Sequence, residues 1–239
     1  MEYILDDGLS FGLGVFETIA VTDGRLELLK EHMERINGSL QTLGIREGVE
    51  EDVLFNWLNN HTIPKKAAVK LLVTRENILL SARENHYNRE MKENGFVMDF
   101  SCVLRNDTSP LVRHKSLNYG DCIMEKRKAG KKGLDEVIFI NRFEEICEGA
   151  VSNVFFIKDD EIMTPSVDCG LLPGVMRRHV MESCQVTERR IKKEEIYQMD
   201  GCFVTNSLMG IMPVRVLDDM DFSMRYEDIR DLLQMDDYC

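Results

Sequence analysis

Three short stretches hold residues whose types and settings could do chemistry. Lys115 follows Arg113 and His114 and precedes the apolar Leu117. A lysine among other cations loses its proton more readily, which suits an amine that forms a Schiff base. A solvated basic cluster accounts for the same residues. Leu171–Arg177 (LLPGVMR) sets a glycine between a proline and a predicted helix. Free backbone N–H groups at such a helix start attract an anion, and so does the helix dipole. A plain turn also fits. Asn206 and Ser207 stand just past a predicted strand and before Gly210 and Pro213. Polar residues at a strand end often line a site, and they also form Asx-turns.

The elements that must position these residues follow from periodicity. Val15–Val21 (VFETIAV) is rich in β-branched and aromatic residues, and Asp23-Gly24 marks a hairpin before Arg25–Leu28. Leu29, Met33, Ile36, Leu40 and Leu43 then fall at helical spacing, with Gly44 as the stop. A second helix is predicted over Glu50–Asn59, and strands over Ala67–Thr74 and Phe96–Leu104. Arg105–His114 is polar, contains a proline and has no period, which makes it the linker candidate. Beyond it come a helix over Tyr119–Lys132, paired strands over Asp135–Asn141 and Ser152–Lys158, and a helix over Pro173–Cys184. A short strand at Cys202–Thr205 and a terminal helix over Tyr226–Met235 close the chain. The expectation is an α/β (α+β) protein with a domain over 1–105, a linker over 106–113 and a second domain over 114–239.

Composition narrows the class. With 44% hydrophobic and 30% charged residues the chain is globular, and no apolar run reaches a membrane span. Met1–Ser10 lacks the basic and apolar regions of a signal peptide, so a cytoplasmic protein is expected. A net charge of −12 argues against nucleic acid as partner, since phosphate neutralisation needs a basic face. The seven cysteines (Cys102, Cys122, Cys147, Cys169, Cys184, Cys202, Cys239) show no CxxC pair, so no metal site and no disulfide framework is expected.

Taken in order, six segments resemble the motifs of the class IV aminotransferases, the fold-type IV pyridoxal-phosphate enzymes. Gly12–Ala20 (GLGVFETIA) is similar to the family's first strand motif and His32–Arg35 (HMER) to its helix motif. Lys115–Tyr119 (KSLNY) resembles the cofactor-lysine motif, and Glu148–Asn153 (EGAVSN) the strand motif that supplies a carboxylate. Leu172–Arg177 and Thr205–Val214 (TNSLMGIMPV) resemble the two phosphate-cup motifs. The resemblance runs nearly end to end. It implies a two-domain, D-amino-acid aminotransferase-like fold with pyridoxal 5′-phosphate in the cleft between the domains, and a homodimer acting on a small amino substrate.

The resemblance also implies roles. Lys115 would bind the cofactor aldehyde as a Schiff base and then shuttle the substrate proton. Glu148 would pair with the pyridine nitrogen and keep it protonated, so that the ring accepts electrons. Arg35, the backbone N–H groups of Val175 and Met176, and the Ser207 hydroxyl would hold the phosphate. Tyr119 would face the phenolic oxygen of the ring.

Three activities of the family compete: branched-chain aminotransfer, D-amino-acid aminotransfer, and elimination of pyruvate from 4-amino-4-deoxychorismate to give 4-aminobenzoate, a folate precursor. The loop Asn206–Val214 most resembles that of the lyases and lacks the Gly-Thr-Ala pattern of the branched-chain enzymes. Many relatives carry arginine where this chain has Ala20, so another cation, Arg83 or Arg75, is expected to read substrate carboxylates, with Asn206 beside it. A non-catalytic binding protein on the same fold is the reading from another class, and intact Lys115 and Glu148 argue against it.

Overall fold

The structure is a computed structural model that describes residues 3–234. The chain folds into two compact units. The first runs to His86 and takes back His114–Tyr119; the second holds Tyr87–Arg113 and the chain from Gly120 onward.

In the first unit, α1 (Asp7–Phe11) precedes a four-stranded antiparallel sheet of β1 (Val15–Thr22), β2 (Arg25–Leu26), β3 (Lys66–Val73) and β4 (Ile78–Glu84), in the order β2-β1-β3-β4. Asp23 and Gly24 both have positive φ (47° and 81°), as the two-residue turn that matches strand twist requires. Helices α2 (Leu29–Thr42) and α3 (Asp52–Asn59) supply the apolar cover. Met33, Ile36 and Leu40 of α2 and Leu54 of α3 belong to one core with Val15, Ile19 and Val21 of β1 and Ala67, Val69 and Leu71 of β3. By strand alternation Phe16, Thr18 and Ala20 point to the other face. The register places Lys70 opposite Thr18, and Ala68 opposite both Ala20 and Arg83, on that same face.

The second unit is built on nine strands. They are β5 (Phe96–Phe100), β6 (Glu136–Ile140), β7 (Ile146–Gly149), β8 (Asn153–Lys158), β9 (Glu161–Pro165), β10 (Val186–Arg189), β11 (Gly201–Asn206), β12 (Gly210–Leu217) and β13 (Met220–Asp221). Their order is β10-β9-β8-β11-β12-β5-β6-β7, with β13 beside β12. Helices α4 (Arg89–Asn94), α5 (Gly120–Lys131), α6 (Val175–Ser183) and α7 (Tyr226–Leu233) complete it. Phe96, Met98, Ile138, Val154, Phe156, Val204 and Met212 lie in one buried core. No helix among the described residues is long and apolar enough to cross a membrane.

Four expectations need correction. The strand at Phe96, expected in the first domain, pairs in parallel with β12 and β6 inside the large sheet, so the first unit ends at His86 and not at 105. Period alone identifies a strand and is silent about its neighbours. Residues 106–113 are not a free linker. They belong to the second unit, carry a turn of 3-10 helix (Pro110–Arg113), and are tied down by Arg113 to Asp168 (2.8 Å). Lys115 groups with the first unit although its expected domain was 114–239. Finally, β6 and β8 are not partners: β6 pairs with β5 and β7, and β8 with β9 and β11.

Two sequence readings extend past residue 234. Met235, in the expected terminal helix, and Cys239 lie outside the described residues. The other six cysteines are free thiols, four of them buried. Strand β12 carries no clear strand signal in the sequence, because Pro213 lies in its interior. The proline is tolerated because pairing with β5 begins only at Val214, so the missing N–H forfeits no bond on that side.

Candidate active site

In the first unit the Lys115 backbone is fixed to the sheet before its side chain acts. Phe16 N–H donates to Lys115 O (2.9 Å) and Leu117 N–H donates to Gly14 O (2.9 Å). The half-buried ammonium then lies 4.6 Å from the Phe16 ring centre and 4.8 Å from that of Tyr119. The two rings meet edge to face at 5.4 Å. Aromatic faces attract a cation and limit its hydration, which helps to hold the side chain in place. Next to it, His114 meets Ser39 of α2 through Nδ1 (2.9 Å), and burial lowers the His114 pKa.

Arg35 sits on α2 in a buried charged group that the sequence reading does not anticipate. Its Nε and Nη2 donate to Glu17 Oε1 (2.7 Å) and Oε2 (2.5 Å), and His32 Nδ1 lies 2.6 Å from the same Oε2. Glu17 is 1% exposed and His32 fully buried, and His32 Nε2 has no hydrogen-bond partner. Burial pushes the Glu17 carboxyl up, but the charges of Arg35 and His32 overcome it and hold the group at about 2. A signal for Glu17 is present in the sequence. Alternation along β1 puts it on the apolar face with Val15, Ile19 and Val21, where a charge needs a partner.

Lys70 is a second residue that sequence reasoning misses. Its ammonium stands 4.4 Å from the centre of the Phe16 ring, the ring that Lys115 also approaches. Partial burial and the nearby charge of Arg83 lower its pKa. Arg83 itself is exposed, and its Nη1 donates to Glu84 O (3.0 Å). Arg75 is exposed in the bend between β3 and β4.

In the second unit Glu148 lies one residue before the end of β7, with 4% exposure. Arg105 donates Nε (3.0 Å) and Nη2 (2.6 Å) to its Oε1, and Leu172 N–H reaches Oε2 at 3.0 Å. Arg105 opens the polar stretch that reads as a linker, and no local signal sets it apart.

The entry to α6 is held from β8. Asn153 Nδ2 donates to Leu172 O (2.8 Å), and a Cβ on Gly174 would lie 2.1 Å from Asn153 Oδ1, so a larger residue there would displace Asn153. Gly174 is the N-cap, and no side chain caps the helix. The first-turn residues Val175 and Met176 are buried (4% and 1% exposed), and N–H groups at that position have no partner within the helix. Thr205 is the cross-strand partner of Asn153, and its hydroxyl is buried with no hydrogen-bond partner. Ser207, two residues on, is half-buried. An uncapped buried helix start beside an orphaned hydroxyl suits an anionic group. Each unit by itself has groups of the kind pyridoxal phosphate calls for: a held amine at Lys115 in the first, and a carboxylate at Glu148 with an anion-suited helix start in the second.

Asn206 turns out to be a structural residue. Its Oδ1 accepts from Leu208 N–H (2.9 Å) and Met209 N–H (3.0 Å), and its Nδ2 donates to Val151 O (3.2 Å). It is the Asx-turn that the sequence leaves open, and a substrate role for it is not supported.

Comparisons with known proteins bear on the chain as a whole. Residues 14–217 match the family model described as amino-transferase class IV. An aminodeoxychorismate lyase of Bacillus subtilis (strain 168) is 27% identical, over 96% of this chain and 86% of its own. A probable branched-chain-amino-acid aminotransferase of Rickettsia typhi is also 27% identical, over 97% and 88%. Among solved structures, a putative 4-amino-4-deoxychorismate lyase from Legionella pneumophila superposes with a TM-score of 0.87 at 26% identity, covering 98% of this chain and 94% of that one.

Proposed function

Because this chain belongs to the amino-transferase class IV family, we propose that it is a pyridoxal-phosphate-dependent lyase that converts 4-amino-4-deoxychorismate to 4-aminobenzoate and pyruvate. The observation that carries the choice of lyase is the Asn206 turn. Its carboxamide oxygen takes the N–H groups of Leu208 and Met209. The family resemblance implies that the branched-chain enzymes receive the substrate α-carboxylate on backbone donors of this loop, and here the N–H groups of Leu208 and Met209 are taken by Asn206.

Pyridoxal phosphate, when bound, supplies an aldehyde that captures the substrate amine and a ring that delocalises the electrons left after deprotonation. The protein groups do the rest. Lys115 would offer its amine to the aldehyde and, once released, would take the proton from the amine-bearing carbon. Glu148 would keep the ring nitrogen protonated. Arg35, Ser207 and the first N–H groups of α6 would hold the phosphate, and Tyr119 would face the phenolic oxygen. Breaking the ether bond then releases enolpyruvate, which takes up a proton to become pyruvate, and the ring left behind is aromatic.

Two substrate carboxylates need cations, and Ala20 cannot supply one. Lys70 and Arg83 share the sheet face of Ala20 and take that role in this reading. Lys70→Met should raise KM roughly 10- to 100-fold with kcat nearly unchanged, the worth of one charge-assisted hydrogen bond of about 1.5–3 kcal/mol. An unchanged KM would remove Lys70 from the site.

The deciding experiment incubates the cofactor-loaded protein with aminodeoxychorismate and analyses the products. Release of 4-aminobenzoate and pyruvate in equal amounts is expected. No release, together with conversion to the amine form of the cofactor by a branched-chain or D-amino acid, would make the protein an aminotransferase.

A further inference from the structure

Glu148 is nearly sealed from solvent, and a carboxylate in that position tends to take up a proton. A protonated Glu148 could not hold a proton on a pyridine nitrogen, so something must keep the carboxylate charged. Arg105 meets that need. Two of its donors converge on Oε1 from a side chain only 10% exposed, while Leu172 N–H fixes Oε2. Three donors on two oxygens set both the plane and the direction of the carboxylate.

The guanidinium is itself held. Its Nη1 reaches Cys122 Sγ (3.2 Å) and Asp121 (3.4 Å) at the start of α5, and its carbon lies 5.2 Å from the centre of the Phe139 ring. We infer that Arg105 is a positioning residue that orients Glu148 and keeps it ionised toward the ring nitrogen of the bound cofactor. This inference rests on the cofactor reading above.

The other groups around the pair do not substitute for it. Cys122 on α5 is pushed up to about 12, chiefly by burial, and burial with the Glu148 charge raises Cys147 on β7 as well, so both thiols stay neutral. Asp121 is about half exposed and shares Arg105 with Glu148. Burial pulls the Arg105 pKa down, but Glu148 more than restores it, so the guanidinium stays charged throughout the working range. Lysine offers no planar fork and can lose its proton when buried, so an arginine is needed here.

The test starts with the apo-protein, where the cofactor plays no part. The ionisation of Glu148 is followed by carboxyl carbon NMR in wild type, Arg105→Gln and Arg105→Lys, the last keeping the charge if the first folds poorly. The Glu148 midpoint should rise by about one pH unit or more in Arg105→Gln and by less in Arg105→Lys. The cofactor-loaded variants should then bind pyridoxal phosphate at least about 10-fold more weakly and lose kcat with KM held, and the pH at which their absorption band changes should move.

An unmoved Glu148 midpoint in both variants would overturn the inference, whatever the cofactor does. A midpoint that moves while affinity and spectrum stay at wild-type values would also overturn it. Glu148→Gln separates the two failures. If that variant too leaves the spectrum untouched, the cofactor reading of Glu148 falls. If it alters the spectrum, only the role of Arg105 does.

Discussion

Lys115→Ala should fold normally and lose both its covalent hold on the cofactor and its activity. The fold survives because the tie to the sheet runs through backbone, from Phe16 N–H to Lys115 O and from Leu117 N–H to Gly14 O, and alanine keeps both. The chemistry should not survive, because the amine proposed to react is the one held against the Phe16 and Tyr119 rings. Proton transfer by a placed side chain accounts for about 10²–10⁴-fold by itself, and turnover should fall by at least that much. The direct check is borohydride reduction of the loaded protein followed by peptide mass analysis. Wild type should carry the reduced cofactor on the peptide containing Lys115, and the variant should carry none. A reduced adduct on another lysine in wild type would sink the assignment. Added methylamine should restore part of the lost rate if the missing group is an amine.

Glu17→Gln should give the largest change in stability. Glu17 is the shared partner of Arg35 and His32 inside the first unit, and removing its charge leaves the buried His32 and the partly buried Arg35 poorly answered. Breaking a buried pair by removing one partner destabilises by about 3–5 kcal/mol. The sign of the pH dependence follows from the folded value of about 2 against an ordinary 4.5. A depressed carboxyl contributes stability that is fully present above its unfolded value and is lost as pH falls toward its folded one. The span is worth roughly 3 kcal/mol. Urea unfolding of wild type and variant should therefore differ most near neutral pH, and the gap should shrink between about pH 4.5 and pH 2. A gap of the same size at both ends would mean that Glu17 is not charged in the folded protein. Arg35 loses its anchor in the same variant, so weaker phosphate binding is expected alongside.

The chain shows how far local pattern carries. The hairpin at Asp23-Gly24, the apolar stripe of α2 and the helix behind Gly174 were all legible, because each depends on residues within a few positions of one another. Motif order in the sequence was enough to expect the class IV family, which the match over residues 14–217 bears out, and it is the ground on which Lys115, Glu148 and Arg35 are proposed. Glu17 was half legible, since strand alternation buries it, yet nothing local says that Arg35 and His32, one helix away, answer its charge.

What only tertiary structure decided is which distant groups share a neighbourhood. Arg105 lies 43 positions from the carboxylate it serves, in a stretch whose composition reads as linker. Lys70 reads as one polar residue in an apolar strand, and only the register against β1 and β4 sets it beside Thr18 on the face of Ala20 and Arg83. The strand at Phe96 looks like the end of the first sheet until pairing with β12 and β6 puts it in the second. Strand partners and ion pairs across tens of residues are chosen by the free energy of the whole packed core, and local pattern holds no record of that choice. Motif order points to a kind of chemistry, and packing sets the contacts that hold Lys115 and Glu148 in place.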